Sequence, residues 1–134
     1  MNDLYMLMYT SLLALDASPS CVIDIVRRSR INNHNRDITG ILIFDGAAFC
    51  QYLEGSAEAV GALMKKILVD PRHTDVKIIL EGFVSPPRRF DDWSMAYGLA
   101  NNETVADIAE SGDRTVAQQR FAQLLSSIDR EPHP

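Results

Sequence analysis

The sequence predicts an α+β fold of the ferredoxin-like kind: a β-α-β-β-α-β-β mixed sheet with two helices on one face and C-terminal helices on the other. Three observations carry this expectation. Strand-like and helical patterns alternate in that order through the first hundred residues, the strand-like runs are apolar on both parities, and residues 103–129 hold two further helical patterns. A strand that is apolar on both sides must be covered on both faces, so the last two helices are expected to close the face left bare by the first two.

Leu4 to Leu13, LYMLMYTSLL, reads as the first strand, with Tyr5, Leu7 and Tyr9 on one side and Leu4, Met6 and Met8 on the other. Ser18-Pro19 reads as a helix start, a capping hydroxyl followed by a residue whose missing N–H costs nothing in a first turn. Val22, Ile25, Val26 and Ser29 then share a face, and Asn32-Asn33 reads as the helix end, because asparagine tolerates the left-handed conformation there. Arg27, Arg28 and Arg30 lie largely off that face; either they include a phosphate contact or they are a solvated surface, the preferred reading. Thr39 to Gly55, TGILIFDGAAFCQYLEG, is a central hairpin turning at Asp45-Gly46. Ser56 can cap a second helix whose apolar side is Val60, Leu63, Met64, Ile67 and Leu68, and Asp70-Pro71 stops it. Asp75 to Phe83 returns to strand, with Val76, Ile78 and Leu80 alternating against Lys77, Ile79 and Glu81, and Trp93 to Leu99 is a short edge strand. Helices over 103–111 and 113–129 follow, the second carrying Val116, Phe121, Leu124, Leu125 and Ile128 at helical spacing.

With 134 residues, 46% of them hydrophobic, the chain suffices for one domain with its own core; residues 1–100 are expected to form it and 101–134 a helical extension, packed on the sheet or in an oligomer interface. The formal net charge of −5 argues against direct nucleic-acid binding. No apolar run is long enough to span a membrane and the N-terminus lacks a basic lead, so a cytoplasmic protein is expected. Cys21 and Cys50 have no CxxC spacing, and His34, His73 and His133 are scattered, so no metal is expected. Nor does the sequence hold a Cys-His or Ser-His-Asp set, paired carboxylates flanking a pocket, or a glycine-rich phosphate loop; an enzyme is not expected.

One polar residue interrupts the second hairpin strand. Gln51 lies between Cys50 and Tyr52, and an uncharged amide on a buried strand must find partners for both its oxygen and its NH2. Taken alone it reads as a satisfied core residue. By strand parity, however, Tyr9 and Gln51 can both face the first two helices, and a slot there could hold a flat aromatic ligand with a polar edge.

At these residues the chain resembles the BLUF family of flavin-binding blue-light sensors. The resemblance runs from about Leu4 to Leu99 and rests on LMYTS, SRINN, TGILIFDG, FCQYLEG, DPRH and RRFDDWSM, in that order. It implies that Tyr9 donates an electron and a proton to the photoexcited flavin, that Gln51 is the amide whose hydrogen bonds rearrange, and that Trp93 and Met95 belong to the switching edge strand. It further implies flavin contacts from Ile25, Ser29, Asn32, Asn33, Ile67, Arg72 and His73. FAD is the implied cofactor, FMN and riboflavin being the alternatives; output is expected in trans, through a downstream signalling protein or a change of assembly, and a homo-oligomer is expected. The competing readings are a flavin-dependent redox enzyme and a ligand-sensing regulatory domain that does not respond to light.

Overall fold

The structure, a computed structural model, describes residues 4–18, 20–90, 96–100, 104–127 and 129–130. In chain order the elements are β1 (Leu4–Leu13), α1 (Cys21–Asn35), β2 (Thr39–Phe44), β3 (Ala48–Gly55), α2 (Ala57–Leu68), β4 (His73–Val84), β5 (Ala96–Leu99), α3 (Thr104–Ala109), α4 (Arg114–Ser127) and a two-residue β6 (Asp129–Arg130). The sheet order is β4-β1-β3-β2-β5-β6. β3 pairs antiparallel with both β1 and β2, β4 pairs antiparallel with β1, and β5 runs parallel to β2. Each of the first two helices therefore joins two parallel strands separated by one other, the interlocked crossover of a ferredoxin-like sheet.

Both sheet faces are buried, as the two-sided strands require. On one face Leu7, Tyr9, Leu42, Phe49 and Leu53 pack with Val22 and Val26 of α1 and Val60 and Met64 of α2. On the other, Met6, Met8, Ile41, Ile43 and Tyr52 pack with Val105 and Ile108 of α3 and Ala117, Phe121 and Leu124 of α4. The inward stripe of α4 thus begins at Ala117; Val116 is only half-buried, and Ile128 lies outside the described residues. Tyr52 and Phe121 stack with ring centroids 5.5 Å apart, and the Arg89 guanidinium lies 5.1 Å from the Phe121 centroid.

Four local expectations are corrected. α1 starts at Cys21, after an N-cap, Ser20, without a side-chain cap bond, because the Ser18 hydroxyl instead accepts the Ser20 N–H at 3.3 Å. Asn32-Asn33 does not end that helix: α1 runs on to Asn35, the Asn33 carbonyl accepts Ile38 N–H at 2.8 Å, and the left-handed residue is Asp37 (φ 56°). Burial of the Asn33 side chain, 1% exposed, overrides its local preference for a cap. Leu68 lies off the packed face of α2 and is exposed. The alternation along β4 also fails, because register shifts opposite Met8/Tyr9 and Thr10/Leu12 each insert one extra β4 residue. Val76 consequently packs beside α2 while Leu80 packs with the α3–α4 face.

The hairpin turn has a second use. Asp45 Oδ1 accepts the N–H groups of Ala47 and Ala48 at 3.1 and 2.8 Å, fixing the turn, and its Oδ2 accepts Val105 N–H at 3.2 Å in the first turn of α3. One buried carboxylate therefore ties the central hairpin to the start of the C-terminal helices.

Candidate functional site

Tyr9 and Gln51 are direct cross-strand partners of β1 and β3, and Leu42 of β2 continues the same row. All three side chains lie on the face covered by α1 and α2, and they form the floor of a cleft of about 210 Å³ between those helices. Tyr9 is 3% and Gln51 4% exposed, and the Tyr9 hydroxyl donates to Gln51 Oε1. Burial pushes the Tyr9 phenol far above its ordinary range, and the negative charge of Asp70 pushes in the same direction. The phenol therefore keeps its proton, and the amide can present its N–H groups to a third partner.

The walls follow from helical spacing. Ile25, Arg28, Ser29 and Asn32 recur at i, i+3, i+4 and i+7 on one side of α1, with Asn33 beside them, and Leu63, Lys66 and Ile67 do the same on α2. Asp70, Arg72 and His73 close the end beyond α2. Arg72 grips Asp70 through Nε (2.9 Å to Oδ1) and Nη2 (2.5 Å to Oδ2). These bonds hold the Asp70 carboxyl below the usual carboxylate range and raise the Arg72 guanidinium further.

His73 braces the floor. Its Nε2 lies 2.7 Å from the Ile67 carbonyl, which can only accept, so Nε2 carries the proton; in the neutral ring Nδ1 then accepts from the Ser11 hydroxyl at 2.9 Å. The imidazole meets the Tyr9 ring edge-on at 6.1 Å and 70°, and the Phe49 ring at 6.3 Å and 84°. The end of α2, β1 and the start of β4 are thereby joined around the tyrosine.

Tyr9, Ile25, Ser29, Asn32, Asn33, Gln51, Ile67, Arg72 and His73, all singled out from the sequence, line this single cleft. Trp93 and Met95 lie outside the described residues. Sequence reasoning missed Leu42, Phe49, Leu63, Lys66 and Asp70 as lining residues and read Arg28 as solvated. Phe49 shares the parity of Gln51 and Leu63 precedes Ile67 by one turn, so pattern could have found both; Asp70 was read only as a helix stop.

Fold and site define a class: an α+β ligand-binding sensor domain whose helices flank a slot floored by a buried phenol–amide pair. The chain belongs to the BLUF family, described as sensors of blue-light using FAD, whose sequence model matches residues 4–96. It is 36% identical over 84 residues to the blue light- and temperature-regulated antirepressor BluF of Escherichia coli K12, a match covering 63% of this chain and 21% of that protein. It is 30% identical over 80 residues to the photoactivated adenylate cyclase subunit beta of Euglena gracilis, covering 60% of this chain and 9% of that subunit. This chain thus spans only a small part of these curated relatives. Among solved structures, the dark state of the BLUF protein BlrB superposes with a TM-score of 0.74 at 32% identity, over 94% of this chain and 98% of that one. Photo-activated BlsA also gives 0.74, at 27% identity, over 93% and 94%.

The residues present fit a flavin. Ile25 and Ile67 offer apolar contact from opposite helices to a flat ring, while Asn32, Asn33 and Gln51 supply amide donors and acceptors for an edge that alternates carbonyl and N–H groups. Among the described residues no group of His, Cys, Asp or Glu is placed to hold a metal ion, and no helix is long and apolar enough to cross a membrane.

Proposed function

We propose that residues 1–100 are the photosensor unit of a blue-light receptor, that its noncovalently held cofactor is FAD, and that Tyr9 and Gln51 are the switch. The observation that carries this reading is the hydrogen bond from the Tyr9 hydroxyl to Gln51 Oε1 on the floor of the cleft. The flavin supplies blue-light absorption and, when excited, an acceptor for one electron. Tyr9 would supply that electron and let its phenolic proton move along the bond to Gln51, and both would return to Tyr9, leaving only the hydrogen bonds of the amide changed. Rotation or tautomerisation of the Gln51 amide exchanges what it presents to the tyrosine and to the ring edge. An added bond from the Gln51 amide to a ring carbonyl would lower the excitation energy and shift absorption to the red. Asn33 orients the carbonyl edge, Ser29, Asn32 and Arg72 add polar contacts, Ile25 and Ile67 sandwich the ring, and His73 holds the tyrosine in place.

A single rearranged hydrogen bond supplies about 1 kcal/mol, so the element it biases must already be closely balanced between two states. We assign that element to β5 (Ala96–Leu99), which pairs with β2, and the switching role to Trp93 and Met95, which precede it in the sequence. The output then passes to another cytoplasmic protein in trans from a homo-oligomer rather than to chemistry within this chain. The test is Gln51→Ala. The variant should retain flavin and lose the reversible red shift; a normal shift in it would remove Gln51 from the switch.

A further inference from the structure

β3 carries Gln51 on one face and a buried carboxylate on the other. Glu54, cross-strand from Met6 and Thr39, lies on the side covered by α3 and α4 and is 1% exposed. A carboxylate that leaves water needs hydrogen-bond donors in its place, and Glu54 Oε1 accepts the main-chain N–H of Phe90 at 2.7 Å. The two residues before Phe90 are held as well. Arg88 donates from Nη1 to Thr39 Oγ1 at 3.2 Å and to the Glu54 carbonyl at 3.4 Å, and its Nη2 pairs with Asp37 at 3.1 Å. The Arg89 guanidinium lies 5.9 Å from the Tyr52 ring centroid as well as near Phe121, and the buried Phe90 ring meets Tyr52 at 5.5 Å and 64°. Of these contacts the Glu54 bond alone fixes main chain, and it runs to the strand that carries Gln51.

We propose that Glu54 is a positioning residue of the photoswitch: it ties the segment leading into β5 to the strand of the switch amide, and thereby sets how fast the light state returns to the dark state. The inference rests on the photosensor reading above and adds to it a residue outside the lining of the cleft. Trp93 and Met95 follow Phe90 by three and five residues, and β5 begins at Ala96. A displacement of β3 that accompanies the rearrangement of Gln51 reaches Phe90 through one charge-assisted bond to main chain. That bond holds the segment in the dark and the light arrangement alike and is stretched only in passing between them. Its removal lowers the barrier to return and leaves the phenol–amide pair in place, so recovery should become about tenfold faster.

The experiment is blue-light excitation of the flavin-loaded wild type, Glu54→Leu and Glu54→Gln, with the red-shifted absorption followed through recovery in darkness. Leucine fills the site without an acceptor, whereas glutamine keeps a carbonyl oxygen for the Phe90 N–H. Trp93 is the single tryptophan of the chain, so its fluorescence reports on the segment directly. Glu54→Leu is expected to keep its flavin and its red shift, to recover about tenfold faster and to shift the dark-state Trp93 emission, while Glu54→Gln stays within about twofold of wild type. Recovery in Glu54→Leu no faster than wild type, or a glutamine variant as perturbed as the leucine one, would overturn the proposal and leave the photosensor reading intact. Should both Glu54 variants fail to fold, the half-buried Arg88 carries the test: Arg88→Gln loosens the same segment and should recover about threefold faster, and an unchanged rate there would overturn the proposal. A wild type that binds flavin and shows no red shift would bring down the photosensor reading and this inference with it.

Discussion

Replacing Tyr9 by phenylalanine removes one oxygen from the floor of the cleft and little else. The ring stays packed with Leu7, Val60 and Met64 and edge-on to His73. What changes is that Gln51 Oε1 loses its phenol donor at a position where both residues are at most 4% exposed. Such a loss costs about 1 kcal/mol, the net worth of one buried hydrogen bond. The cost belongs to the pair, so Tyr9→Phe should be about 1 kcal/mol less damaging in a Gln51→Ala background. Urea unfolding of the flavin-free wild type, both single variants and the double variant gives that coupling directly. The loaded Tyr9→Phe protein should keep its flavin spectrum and lose the normal red shift. Additive single costs would show that the phenol–amide bond contributes nothing to the fold, and a normal photocycle in Tyr9→Phe would refute its role as donor.

Two further perturbations test the scaffold and the electrostatics. A Cβ at Gly40 would lie 1.9 Å from the Tyr52 carbonyl oxygen on the neighbouring central strand, and backbone cannot move aside there, so Gly40→Ala should cost on the order of 4 kcal/mol or more, read as a collapse of the urea midpoint or loss of soluble protein. Asp70, whose carboxyl is held below its ordinary 3.8 by Arg72, stabilises the folded state fully above that value and progressively less as pH falls through its lowered folded value. Asp70→Asn should therefore flatten the stability-against-pH curve in that acid window and leave its shape near neutrality unchanged; an unaltered acid limb would contradict the assigned pairing.

Much of this site was legible because it depends on local periodicity. The parity of β1 and β3 put Tyr9 and Gln51 on one face, and helical spacing put Ile25, Ser29 and Asn32 on one side of α1. What stayed illegible depends on backbone irregularity or distance along the chain. Val76, Ile78 and Leu80 look like an unbroken alternation, and nothing in their side chains announces the two extra β4 residues, one near Asp75 with its φ of 55°. Asn33 satisfies the local rules for a helix end, and only burial against the sheet shows that the helix continues through it. The Asp45 carboxylate looks like a turn residue because its other partner, Val105, lies sixty residues away. Lys66 lies beside the apolar stripe of α2, and only the approach of α1 across the cleft makes it a lining residue.

The central claim is that a phenol–amide pair under a flavin responds to light. The most direct measurement is the visible absorption spectrum of the dark-adapted, flavin-loaded protein before and after blue light and through recovery in darkness. The account predicts a flavin spectrum that shifts slightly to the red and returns. Bound flavin whose spectrum does not move under blue light would contradict it.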